Sequence, residues 1–272
     1  MSRIVWLVAV CGLTLTATSV FADDPKPAKK ADPLEQLLAT LDQEVQLKEG
    51  ANVNEIPLFE LLESLTKKHG VTFTLNEDSF KSVGMANIKE EKPRIAATRL
   101  NGFTLRQFLN AALEDLRATY LIRNGAIEIV SLGHAASAAK TEVVIGEDNR
   151  YRLKEPLVSA AVKEKPLNEV VAKLAEMYDL TVIVSPQAGD AKTGFVTARL
   201  LNLPADKAIE LLALQCDLRV VRKGNAFLLT SRDHLNELFG EKLDKERQKI
   251  EVEQLRKAPA KPPAAPEKPP AP

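Results

Sequence analysis

Residues 199–212 read "RLLNLPADKAIELL", and one hundred positions earlier residues 99–113 read "RLNGFTLRQFLNAAL". Few identities link the two stretches. Each passes from Arg-Leu at a strand end, through a short polar step, into an amphipathic helix. If one folding unit is used twice, the same order of elements must extend away from this corner in both directions.

It does. Backwards, "IPLFELLESLTKKHGVTFTL" (56–75) aligns without a gap to "KPLNEVVAKLAEMYDLTVIV" (165–184) at an offset of 109. Pro57 meets Pro166, Glu60 meets Glu169, and Leu58, Leu61, Leu62 and Leu65 meet Leu167, Val170, Val171 and Leu174. These apolar positions fall at i, i+3, i+4 and i+7, one stripe of a helix with Pro at its start. The β-branched ends "GVTFTL" and "DLTVIV" predict strands.

Forwards, the offset is 100. Thr104 with Gln107 has the spacing of a capping box, and Pro204 with Asp206 is a different helix start. Both copies finish in hairpins, 119–131 turning at Asn124-Gly125 and 218–231 turning at Gly224-Asn225. The drop in offset from 109 to 100 leaves nine extra residues in the first copy, within "NEDSFKSVGMANIKEEKPRIAA" (76–97). Each unit therefore reads strand–helix–strand–strand–helix–strand–strand, an α+β fold in two tandem copies. A segment before them, "DPLEQLLATLDQEV" (32–45), predicts a short helix with Asp32 as cap and Pro33 at its first position.

The flanks differ in kind. Arg3 precedes "IVWLVAVCGLTLTATSVFA", and the small-residue exit at Ala22 gives residues 1–22 the pattern of a cleaved secretory signal. An uncleaved anchor is the alternative, though Thr14, Thr16, Thr18 and Ser19 dilute the apolar run. Val10 is bulky for the position before a lipidated cysteine, so Cys11 is not read as a lipid site. The boundaries expected are a linker with the short helix over 23–43, unit 1 over 44–131 with an inserted loop at about 78–95, and a linker over 132–156. Unit 2 covers 157–231, a charged helix 232–257, and a disordered Pro-rich tail 258–272.

The second unit resembles the secretin and TonB short N-terminal (STN) domain. The carrying residues are "PLNEVVAKLAEMYDLTVIVSPQ" and "GFVTARLLNLPADKAIELLALQCDLRVVRKGNAFLLTS". The resemblance covers 156–231 well and 51–131 more loosely, where "NGFT" stands for "NLPA". It implies a non-catalytic docking module of the cell envelope, like the first periplasmic domain of secretin channels or the signalling domain of some outer-membrane receptors. Such modules meet other envelope proteins through strand edges and helix faces. The pore-forming part of that family is not expected, because a charged helix and a Pro-rich tail follow unit 2.

Composition limits the chemistry. The chain carries 37 basic and 37 acidic side chains, and without 1–22 the balance is 36 to 37, so the basic excess that phosphate backbones require is missing and nucleic acid is not an expected partner. After signal removal Cys216 is the one cysteine, which excludes an internal disulfide, and its place at a helix end reads as a small buried hydrophobe. His69 reads as a helix C-terminal residue favoured there as a partial cation. His134 and His234 share no ligand spacing with it. Glu90-Glu91 and Glu147-Asp148 sit in polar surroundings. No catalytic, cofactor or metal residue is expected.

In the insertion, Phe80, Val83, Met85 and Ile88 are apolar among polar neighbours. They are candidate partner-binding residues, or they fold back over the unit's own core. The expected function is an exported, non-enzymatic envelope protein binding other envelope proteins, a secretin-type or outer-membrane complex among them, with homo-oligomers open. A periplasmic protein binding a small ligand or cell-wall fragment is one alternative, and a hydrolase with a convergent site another.

Overall fold

The protein is described from a computed structural model that covers residues 32–45, 53–95 and 102–257. The expected signal segment 1–22, the stretch 23–31, parts of two expected unit 1 strands (46–52 and 96–101) and the expected tail 258–272 lie outside the described residues. The fold is mixed α+β, built from several small sheets with helices against them. No helix among the described residues is long and apolar enough to cross a membrane.

After α1 (Pro33–Leu41), the first half runs α2 (Leu58–His69), β1 (Phe73–Leu75), α3 (Glu77–Lys81), α4 (Leu105–Glu114), β2 (Ala118–Arg123) and β3 (Ala126–Ser131). Next come α5 (Leu132–Ala139) and the hairpin β4 (Val143–Ile145) and β5 (Tyr151–Leu153). The second half runs β6 (Leu157–Pro166), α6 (Leu167–Tyr178), β7 (Thr181–Val184), a 3-10 segment (Pro186–Thr193), β8 (Phe195–Pro204), α7 (Ala205–Gln215), β9 (Leu218–Lys223), β10 (Ala226–Ser231) and α8 (Arg232–Lys257).

Each half holds a three-stranded sheet of the same order, β1-β3-β2 and β7-β10-β9, with one parallel and one antiparallel pairing. The register is also shared. Phe73 pairs with Ile127, Thr74 with Glu128 and Leu75 with Ile129; the offsets of 109 and 100 carry these onto Val182–Phe227, Ile183–Leu228 and Val184–Leu229, which pair in the second sheet. All six pairs of the β2–β3 hairpin map in the same way onto β9–β10.

The details that end each element repeat too. Gly70 and Asp179 both terminate a helix in the left-handed conformation, donating to the carbonyls of Thr66 and Ala175. Asn76 and Ser185 both cap the following turn with a side-chain oxygen, and their N–H groups donate to Ile129 and Leu229. The first hairpin turns with positive φ at both Asn124 and Gly125, the second with positive φ at Gly224 but not at Asn225. These are the sign patterns of types I′ and II′, the two turns that match strand twist.

Two helices cover one face of each sheet. In the first half Leu58, Leu61, Leu62 and Leu65 of α2 and Phe108, Leu109 and Ala112 of α4 bury Ile127 and Ile129; Leu37, Leu38 and Leu41 of α1 join the same core. In the second, Leu167, Val171 and Leu174 of α6 and Ala208, Ile209 and Leu212 of α7 bury Phe227 and Leu229. At about 25 cal/mol per Å2 of apolar surface, these side chains are the main stabilising term of each half. α4 begins with the full expected capping box of Thr104 and Gln107, whereas α7 begins at Ala205 after Pro204 with no side-chain cap.

The two strands β6 and β8 form an antiparallel ribbon with two register shifts, and β8 runs on past Arg199-Leu200 to Pro204. In the first half residue 44 bridges 104, and the N–H of Leu105 donates to Gln43 as that of Ala205 donates to Pro156. The equivalence of Gln43 and Pro156 is an offset of 113, so the first copy holds four more residues before α2 than the 109 alignment implies.

Two stretches differ from the reading of the sequence. The segment 132–156, expected as a linker, carries α5 and a hairpin: Ser131 caps α5 through the N–H of His134, and Ala-rich "LGHAASAA" is a strong helix former. Ser231 caps α8 through His234 in the same manner, so the likeness of the halves extends one helix beyond the expected hairpins. The inserted loop contains α3, capped by Asn76.

Candidate functional site

Three of the four apolar residues of the insertion belong to the interior. Phe80 and Ile88 are buried in the first core and Met85 packs against it, while Val83 is exposed. The fold-back alternative is therefore the arrangement adopted by Phe80, Met85 and Ile88; as placed, Phe80 and Ile88 present no surface to a partner. α3 makes this possible, because its single turn aims Phe80 at the sheet through the buried Ser79, whose hydroxyl oxygen accepts from the N–H of Ser131.

His69 is also corrected. The carbonyl of Thr66 is capped by Gly70, and the Nε2 of His69 has no hydrogen-bond partner. Burial and the neighbouring Lys68 hold its pKa below the ordinary value, which favours the neutral ring rather than a helix-end cation. Cys216 ends α7, with burial pushing its thiol up, as suits an unreactive packing group. His134 and His234 sit on separate helices as matching third residues, and no group of three or more metal-ligating side chains converges among the described residues. Glu91 gives its backbone carbonyl to the first N–H of α2, and Asp148 pairs with Arg152 in the β4–β5 turn.

The concentration of polar chemistry lies where the halves meet. Arg106, on the second position of α4, is 2 % exposed. Its Nε and Nη2 donate to Oδ1 of Asp42 at 3.4 and 3.2 Å, and its Nη1 donates to the hydroxyl of Tyr178 at 2.7 Å. The Tyr178 ring stacks 5.2 Å from the guanidinium carbon. Tyr178 then accepts from the N–H of Ser159 and donates to its carbonyl, at 2.8 and 3.1 Å. Burial works against the charge of Arg106, yet Tyr120, Tyr178 and Asp42 outweigh it and the pKa stands above the ordinary value. Burial likewise pushes the Tyr120 phenol up to about 12, against the lowering effect of Arg106.

A cleft of about 590 Å3 opens beside this network, between α1, β6 and α6. Asp42 and Arg106 line it, with Lys173 reaching the second oxygen of Asp42 at 3.6 Å and Leu38, Val162 and Met177 as apolar walls. One half-exposed carboxylate thus serves two cations.

The second contact is between backbone and side chain. Asn202, in β8, has positive φ and lies beside the outer strand of the first sheet. Its Oδ1 accepts from the N–H of Ile122 at 2.8 Å and its Nδ2 donates to the carbonyl of Ile122 at 2.9 Å. Ser159 holds the amide in place, accepting from the N–H of Asn202 at 2.9 Å. One amide therefore satisfies the two outward-facing groups of one residue of β2, as a neighbouring strand would.

Arg106, Tyr178 and Asn202 were missed in the sequence. The available signals were an Arg among the apolar residues of a helix start and an Asn in the short step after Arg199-Leu200. Compared with known proteins, the chain matches no protein-family model and no curated protein.

Proposed function

We propose that the chain is an exported, non-enzymatic protein of the cell envelope whose tandem STN-like units bind other envelope proteins. The observation that carries this reading is the Asn202–Ile122 contact, in which a side-chain amide of one half takes both backbone groups at a strand edge of the other. Edge recognition depends little on side-chain identity and is a general route to protein association. Residues 1–22 act as the export signal, and a secretin-type or outer-membrane complex is the partner class. Chemical crosslinking of the protein in its own cells, with the adducts identified by mass spectrometry, tests the reading. Adducts with envelope proteins and a mature N-terminus at Asp23 are expected; a protein that stays uncleaved in the cytoplasm and crosslinks to nothing overturns it.

The cleft favours a second reading, a small anionic ligand or cell-wall fragment held between the halves. Arg106 and Lys173 share the single carboxylate of Asp42, leaving one positive charge beside an apolar wall. A rise in melting temperature with such ligands, abolished by Lys173→Glu, supports it, and no shift with any of them removes it.

A further inference from the structure

The first sheet shows what this fold does with its second face and its outer edge. On the face away from α2 and α4, Leu121 and Val130 are buried under Ala135 of α5, with Leu153 and Leu157 packed onto them. At the edge, Asn202 reads Ile122. The second half meets the first through these two contacts and the Arg106–Tyr178 network.

The second sheet repeats the surface without the occupant. The offsets place Ile183, Leu228 and Val221 in one row across its three strands, where the first sheet has Thr74, Glu128 and Leu121. The repeated row is the more apolar of the two, yet Ile183 is 51 % exposed and Phe239 on α8, the counterpart of Ala139, is 53 % exposed. In the two-residue hairpin, Lys223 and Ala226 form the closing hydrogen-bonded pair. The N–H and C=O of Arg222 therefore point outward, as those of Ile122 do, and no described residue takes the place of Asn202 there.

We propose that this face, with the row Ile183–Leu228–Val221, Phe239 and the outer edge of β9, docks a folded domain of a different protein as the first sheet docks the second half. The inference rests on the protein-binding reading above and names the surface and the class of partner. The occupant brings an apolar strand start in the role of Leu157 and a side-chain amide in the role of Asn202. A second copy of this chain is not suited, because its one amide reader is engaged and its first half has Gly102 and the exposed Glu44 where Asn202 and Leu157 stand. Lys223 at the edge is an exposed cation that an acidic group on the partner complements, while Arg219 is paired with Asp217 at 3.6 Å.

The test uses the full-length protein in its own cells, with a photo-crosslinking residue placed singly at Ile183, Val221 or Phe239, and at exposed control positions Phe59, Val83 and Ile145. The three docking positions are expected to give adducts with a globular domain of another protein, at least about tenfold above the controls. Ile183→Asp is expected to abolish the adduct at Val221 while the melting temperature holds. Adducts only from the control positions overturn this inference and leave the broader reading standing; adducts from no position overturn both. Adducts with a second copy or with lipid also overturn it. Amide exchange on the purified protein provides an independent measurement, with Arg222 expected to exchange at least about tenfold faster than Ile122. Equal protection of the two would mean that the β9 edge is already covered, and the proposal fails.

Discussion

The two halves share strand order, register, caps and turns, yet they differ where they meet something else. At equivalent positions stand Gly102 and Asn202, both with positive φ, and Arg106 and Asp206, opposite in charge. The glycine supplies the backbone bend with no side chain, whereas the asparagine supplies the same bend and an amide that reads the neighbouring sheet. Arg106 is buried at the junction; Asp206 is half-buried and accepts from the N–H of its neighbour Lys207. The halves share what folds each of them and differ in what joins them.

Substitutions at these paired positions break or sharpen the comparison. Arg106→Ala removes the cation between Asp42 and Tyr178, leaves both tyrosine hydroxyls short of a donor, and is expected to cost about 3–5 kcal/mol in denaturant unfolding. The equivalent Asp206→Ala is expected to cost within about 1 kcal/mol. Equal losses at the two sites would end the claim that the first position alone serves the junction.

The same network predicts alkaline sensitivity. The Tyr120 phenol has a folded pKa of about 12 against an ordinary 10.0, so the folded state binds its proton more tightly. Its contribution is fully present below pH 10 and is lost as pH rises towards 12, by about 2–3 kcal/mol. Tyr120→Phe is expected to flatten that fall in a pH series of unfolding midpoints. His69 acts at the other end: its lowered pKa makes its contribution present above the ordinary 6.5 and lost as pH falls through the folded value.

Asn202→Gly makes this position like Gly102. It keeps the left-handed backbone and removes the two hydrogen bonds to Ile122, for an expected loss of about 1–3 kcal/mol and faster exchange at the Ile122 amide. Unchanged exchange there would show that the amide does not guard the edge. The smallest effect is expected at Thr104→Ala, about 1 kcal/mol, because α4 has a capping box where α7 starts without one.

Much of this architecture was legible in the order of residues. The stripe Leu58–Leu61–Leu62–Leu65 and its counterpart, the Thr104–Gln107 box and the Asn124-Gly125 turn each express a contact within one or two turns of chain. Such contacts leave a local pattern. The insertion was harder: the sequence leaves open whether Phe80 and Ile88 meet a partner or fold back, because their cover, the sheet ending at Ser131, lies some fifty residues away, the Ser79–Ser131 bond itself spanning 52. The helix over 132–139 has a local signal, the Ser131 cap before an Ala run, but a short run of small residues suits a linker as well.

The sequence by itself determined the succession of α2, β1, α4 and the β2–β3 hairpin and of α6, β7, α7 and the β9–β10 hairpin, the shared register implied by two offsets, and the likeness of "RLLNLPADKAIELL" to "RLNGFTLRQFLNAAL". Only the tertiary structure decided that Asn202 reads Ile122 across 80 residues and that Arg106 meets Tyr178 across 72. The physical reason is that a cap or an apolar stripe is satisfied by near neighbours and so repeats in the chain. A buried cation or an outward strand edge is satisfied by whatever the fold brings beside it.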